Sequence, residues 1–288
     1  MKVLVSTDTS CLLRVDVLSK NDISVFPLNV IVDGEEFLDG VTINQDELKD
    51  AMRSGKTIKT STPPLGQVIE YFERLFEQGY DHIIHFTISS KLSSMYNLFS
   101  NVAKENFEGK VTVIDSYALS TAMLNNVLYA KDELEKGTSI DVICEAIEER
   151  KHKSSVIFIP ENLTALKNGG RISPAIAAVG NVIGLKPVLT LTEGELVKVN
   201  MTTVVKKAFV DYVTKIKGNY PTEEYDYTLV GFDPKEVIFE QIYNFLKTID
   251  DNITKGLIPI NVCAHCGPGT IGIVLSPKIN NKSISDFL

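Results

Sequence analysis

Cysteine is scarce, long apolar runs are missing, and basic residues are in deficit; each shortage removes a class of protein. Four cysteines spread over 288 residues do not form a disulfide scaffold and read as reduced thiols. Met1-Lys2 leads straight into Val3-Leu4-Val5, too short for the apolar core of a signal peptide, and no stretch reaches transmembrane length. The expected location is cytoplasmic, with no integral membrane segment. A formal net charge of −8 argues against a nucleic-acid binder, because duplex affinity rests on lysine and arginine neutralising phosphates. Short-period repeats and low-complexity segments are also missing.

What is present suits packed cores. Hydrophobic residues make up 44% of the chain and charged residues 23%, with a mean hydropathy of +0.06, which describes a globular protein. The length accommodates one large domain or two ordinary ones, and the pattern favours two.

In the first half, short apolar runs end in hydroxyl-rich loops and give way to helical periodicity, as in βα units of a parallel sheet. Val3-Leu4-Val5 runs into Ser6-Thr7-Asp8, and Ile23 to Phe26 meets Pro27 before an extended Val30-Ile31-Val32 and an Asp33-Gly34 turn. His82 to Ile88 runs into Ser89-Ser90, and Val111 to Ile114 into Asp115-Ser116. Leu65, Val68, Ile69, Phe72, Leu75 and Phe76 recur at helical spacing, with Ser61 or Thr62 suited to the N-cap and Pro63 or Pro64 to the first turn. A second helix is expected after Ser93, burying Leu98, Phe99, Val102 and Ala103. After an amphipathic helix over 140–150 and the polar run 151–155, strand character resumes at Val156. The domain division is placed there, giving 1–155 and 156–288. The second half offers a strand over 188–191 with a Glu193-Gly194 turn, helices near 206–216 and 237–249, and a strand from Ile258 to Val262 ahead of a glycine-rich turn.

Ligands of open parallel sheets sit beyond the carboxyl ends of the strands, where helix N-termini offer free N–H groups. Thr60-Ser61-Thr62 and Ser89 to Ser94 both lie just before expected helices. Their hydroxyls either hold a small anion such as a carboxylate or cap those helices. Asp8 and Asp115 also fall at strand ends; caps of the following turns suit them better than a metal site, because EF-hand and zinc spacings are absent. Cys263-Ala264-His265-Cys266 has C-x-x-C spacing, but a strand there would turn the two thiols to opposite faces. His265 stands before Gly267-Pro268-Gly269, and Arg171 follows Gly169-Gly170. A guanidinium beside a flexible turn suits a carboxylate or phosphate, and equally an exposed surface turn.

Taken in order, Thr60-Ser61-Thr62-Pro63, Ser89 to Ser93, Leu166 to Ile172 and His265 to Gly272 resemble the DegV family. Asp8-Thr9-Ser10, Pro27-Leu28, Asp115-Ser116 and Lys186-Pro187 add to the resemblance. It implies a two-domain α/β protein: an N-terminal three-layer α/β/α parallel-sheet domain and a C-terminal two-layer α/β mixed-sheet domain. It further implies a long-chain fatty acid such as palmitate as ligand, its carboxylate held by Thr60, Ser61 and Ser93. Arg171 and His265 match family positions near the carboxylate and the partner-facing surface. The family includes the fatty-acid-binding subunits of bacterial fatty-acid kinase, which present the acyl chain to a separate ATP-dependent kinase subunit. On this reading the chain is a carrier without cofactor, metal or catalysis of its own.

The sequence departs from the family pattern at Thr62, where glutamine is common, and at Ser94-Met95, where Gly-Thr is usual. Glycines expected around Thr121 to Leu124 are missing. A tail of about fifteen methylenes at roughly 0.8 kcal/mol each contributes on the order of 10 kcal/mol before ordering costs. The rival reading is a serine esterase or acyltransferase with Ser93 as nucleophile and His265 as base. A third is a regulatory module without a ligand.

Overall fold

The computed structural model describes residues 1–11, 21–173, 176 and 184–287. In the first half, β1 (Val3–Asp8), β2 (Ile23–Phe26), β6 (His82–Thr87) and β7 (Val111–Asp115) form a wholly parallel sheet in the order β2-β1-β6-β7. Successive side chains of these strands face opposite sides, and both sides are covered. Leu4 and Ile83 pack with Val68, Phe72 and Phe99 of α2 (Leu65–Glu77) and α3 (Met95–Asn106). Val5 and Ile84 pack with Met123, Val127 and Ile143 of α4 (Ser120–Glu135) and α5 (Ile140–Arg150). The result is the expected three-layer arrangement. Thr121 to Leu124, where glycines were expected, are buried members of α4.

At Pro27 the chain leaves this sheet. Asn29–Val32 becomes β3, the centre of an antiparallel three-stranded sheet with β4 (Glu35–Leu38) and β5 (Ile58–Ser61). Between β4 and β5 lies α1 (Gln45–Arg53), opened by a capping box in which Asn44 accepts from Glu47 N–H and the Glu47 carboxylate accepts from Asn44 N–H.

In the second half, β8 (Ser155–Ile159), β9 (Lys186–Thr192), β10 (Glu195–Thr202), β11 (Tyr225–Phe232), β12 (Thr254–Leu257) and β13 (Thr270–Pro277) form a mixed sheet. Its order is β10-β9-β8-β13-β11-β12, and only the β11–β12 pair is parallel. The short α6 (Thr164–Asn168) follows β8, and one face of the sheet buries Ile157, Leu229 and Ile273 against α7 (Val205–Ile216) and α8 (Glu236–Leu246). The other turns Val156, Val230 and Val274 toward the first half, in a core shared with Val5, Ile84 and Ala122.

The strand expected over Ile258 to Val262 is instead the approach to a helix, α9 (Ile260–Cys266). Its alternating β-branched residues mimic a strand, but Pro259 occupies the N-cap and the Asp39 carboxylate accepts Asn261 N–H at 3.0 Å in the first turn. Tertiary context overrides local propensity here. Cys263 and Cys266, three residues apart on a helix, therefore lie on one side of it rather than on opposite faces, and both are buried. Although it belongs to the second half, α9 packs against β3, β5 and α1.

Candidate functional site

Between the carboxyl ends of the parallel strands and the inward face of the mixed sheet lies a cavity of about 1120 Å³, its open mouth included. Leu28, Ile88 and Leu119, each just past a parallel strand, form one side. Val156, Phe158, Val230 and Val274 form the floor, with Gly272 among them. Ile258, just ahead of α9, and the α9 residues Val262 and Cys266 close another side. All five residues singled out in the sequence, Thr60, Ser61, Ser93, Arg171 and His265, line this one cavity.

The hydroxyl loops do not cap their helices. The N-cap of α2 is Pro64 rather than Ser61 or Thr62, and neither α2 nor α3 has a side-chain cap. Ser94 occupies the α3 N-cap, yet its hydroxyl pairs with Thr62 Oγ1 at 2.8 Å. Two of the departures from the family pattern thus meet each other. Ser61 Oγ is buried with no protein partner. An unpaired buried hydroxyl costs free energy unless a ligand completes it.

His265 Nε2 shares a hydrogen bond with Thr60 Oγ1 at 2.9 Å, joining α9 to the end of β5. Burial, and secondarily the Arg171 charge, lowers its pKa to about 4, so the imidazole is neutral at neutral pH. Its Nδ1 has no partner and occupies the space above Gly169, where an added Cβ would come within 2.1 Å of it. Gly169→Ala is therefore expected to push the ring aside and break the bond to Thr60. Affinity for an acyl carboxylate should fall about 10-fold, on the order of 1.4 kcal/mol, in a displacement titration. An unchanged titration would show that the ring position does not matter to binding.

Arg171 is not on an exposed turn. Its Nε donates to Leu92 O at 3.2 Å and its Nη1 to Gly169 O at 2.5 Å, so the guanidinium ties the Ser93 loop to the Gly169 turn. Burial lowers its pKa without removing the charge. Beside two hydroxyl loops and a neutral histidine, this leaves one cation among the described residues that line the apolar cavity, complementary to a single carboxylate. A more open polar depression next to it shares Leu92, Ser93, Arg171 and Leu196 with the cavity and adds Ser90, Lys91 and Asn97.

The aspartates at the strand ends are staples. Asp8 accepts from Ser10 N–H and Ile88 N–H, both at 2.8 Å, and Asp115 accepts from Ser90 N–H at 3.0 Å and Tyr117 N–H at 3.2 Å. They shape the loops that carry Ser93. Gly272 ends the glycine-rich run that the sequence marks for close approach to a ligand, whereas Asn261 lies beside that segment and nothing local marks it as cavity-lining.

A family model described as "Uncharacterised protein, DegV family" matches residues 2–278. A DegV domain-containing protein of Clostridium acetobutylicum is 26% identical over 279 residues, covering 96% of this chain and 99% of its own. One from Staphylococcus aureus is 27% identical over 285 residues, with the same coverage. Among solved structures, a fatty-acid-binding DegV family protein of Thermus thermophilus superposes with a TM-score of 0.86 at 27% identity, covering 96% of this chain and 100% of that one. A fatty-acid-binding DegV family protein of Streptococcus agalactiae matches with a TM-score of 0.86 at 26% identity, over 96% of this chain and 99% of that one. A stearic-acid-binding protein of Eubacterium ventriosum matches with a TM-score of 0.84 at 25% identity, over 97% and 99%. With sequence and fold both matched over almost the whole chain, the chain belongs to the DegV family.

Proposed function

We propose that this protein is a cytoplasmic carrier that binds a long-chain fatty acid, such as palmitate, and presents its carboxyl group to an ATP-dependent fatty-acid kinase subunit for acyl-phosphate formation. The observation that carries the reading is the junction of an apolar cavity with a head end made of Thr60, Ser61, Ser93, Arg171 and His265. Residues 1–155 supply the hydroxyl loops; residues 156–288 supply the floor, the arginine and the histidine. The carboxylate takes hydrogen bonds from Thr60, Ser61 and Ser93 and lies near the Arg171 charge, while the tail is buried along the floor and α9. The open depression beside Ser93 and Arg171 leaves the head end reachable by a partner, and the chemistry of ATP belongs to that partner. The relatives whose structures carry fatty-acid-binding names support the ligand class.

The esterase reading finds no geometric support. His265 is bonded to Thr60, not Ser93, and an imidazole with a pKa near 4 is a poor base at neutral pH.

Protein purified and extracted with organic solvent should yield about one equivalent of fatty acid by mass spectrometry. Empty protein whose melting temperature does not move on adding palmitate or oleate would sink the carrier reading. Ser93→Ala should weaken binding by about 1–3 kcal/mol, the loss of one hydrogen bond to a charged group; unchanged affinity would remove Ser93 from the head site.

A further inference from the structure

The cavity holds a second polar station that the head group does not use. Ser120 and Asn261 both line it and both are more than nine-tenths buried. Ser10 fastens them side by side: Ser120 N–H donates to Ser10 O at 2.7 Å, and Asn261 Nδ2 donates to Ser10 Oγ at 2.6 Å. Each retains a buried polar atom with no partner, Ser120 Oγ and Asn261 Oδ1. Their neighbours in the wall, Leu119, Ile258 and Val262, are apolar.

Asn261, Val262 and His265 of α9, with Ile258 just ahead of it, all line the cavity, so the cavity runs alongside α9. Asn261 precedes His265 by one turn, about 6 Å along the axis. A chain anchored beside His265 and running toward Ile258 passes Asn261 soon after its carboxyl group. Plain methylenes there leave both orphaned atoms unpaired, and each unpaired buried polar atom costs free energy. One hydroxyl on the chain, donating to Asn261 Oδ1 and accepting from the Ser120 hydroxyl, would complete both.

We infer that the preferred ligand is a hydroxylated fatty acid, with its hydroxyl on the carboxyl-proximal part of the chain and seated between Ser120 and Asn261. The inference rests on the fatty-acid reading above and adds the class of acyl chain.

The test is a displacement titration of the full-length, delipidated protein with palmitate, with hexadecanoic acids hydroxylated at successive positions from carbon 2 to carbon 8, and with 16-hydroxypalmitate. At least one proximal hydroxy acid should bind 5-fold or more tightly than palmitate, and 16-hydroxypalmitate should not. In Ser120→Ala that ratio should fall toward one; Ser120→Gly, which suits the left-handed backbone of this residue (φ 55°), serves if the alanine variant does not fold. Palmitate binding as tightly as every hydroxy acid overturns the inference and leaves the carrier intact, the result expected if only water completes the station. A preference that survives in the Ser120 variant also overturns it. Binding of none of these acids overturns the carrier reading and this inference together.

Discussion

Gly272→Val is expected to lower affinity for palmitate by at least about 100-fold while leaving a folded protein. Gly272 sits mid-strand in β13, opposite Phe158 on β8 and Val230 on β11. A Cβ built there lies 3.1 Å from Val230 Cγ2 and 3.3 Å from Phe158 Cβ, both on side chains of the cavity floor. The missing side chain is therefore part of the cavity that the proposed acyl tail would fill. Valine restores strand propensity but fills that space, and overpacking costs about 1–3 kcal/mol even before a ligand is displaced. A 100-fold loss is about 2.7 kcal/mol, the burial of only three or four methylenes at roughly 0.8 kcal/mol each. A titration paired with a thermal melt measures both quantities. Gly218→Ala is the control, since nothing lies within 4 Å of an added Cβ there. Full affinity in Gly272→Val would mean that the acyl chain does not cross this floor.

Asp39→Asn should stabilise the protein by an amount that grows with pH. The Asp39 carboxyl is raised to about 7, chiefly by burial, against the pull of the Asn261 N–H and the Thr9 hydroxyl; nearby Asp8, itself raised to about 6 by burial, adds to the rise. In the unfolded chain an aspartate titrates near 3.9. Between the two values the folded protein holds a proton that the unfolded chain releases. The stability contributed by protonated Asp39 is thus complete below about pH 4 and is lost as pH rises through about 7. Asparagine keeps an oxygen for Asn261 N–H and does not titrate. Urea denaturation at pH 4.5, 6 and 7.5 should show the variant gaining on the wild type by about 2–4 kcal/mol across the range. The difference is the readout because His85 and His265, lowered to about 3 and about 4, act oppositely. Their contribution is present above pH 6.5 and lost below it, which flattens the wild-type profile. Parallel stability curves would refute the assignment. The effect also bears on function, since Asp39 holds the first turn of the helix that carries Asn261 and His265.

Where periodicity was strong, the sequence could be read directly. Leu4 with Val5, and Ile83 with Ile84, alternate between the two faces of the parallel sheet, and Val68, Phe72 and Leu75 mark the buried stripe of α2. Short elements were harder to see. Asn44-Gln45-Asp46-Glu47 carries a capping-box signal that would have located α1. The strand Ile58–Ser61 has no comparable signal, because it is held by its pairing with β3 and is little buried. Ile258 to Val262 reads as a strand until Pro259 and Asp39 are seen at the start of a helix.

The candidate site divides along the same line. Local sequence determined the kinds of groups available: hydroxyls past strand ends, an arginine after two glycines, a histidine before a glycine-rich turn. It could not determine their company. Thr60 and His265, 205 positions apart, meet only because β5 pairs with β3 and α9 packs against both. Thr62 finds Ser94 in the same way, so the hydroxyls that sequence alone would equally assign to helix caps bond elsewhere or stand unpaired. Hydrophobic period is written in neighbouring residues, whereas strand order and helix docking are set by which apolar faces bury each other. Gly272, Ser120 and Asn261 acquire their meaning only from the second of these, as the gap and the polar station of a cavity that no local segment contains.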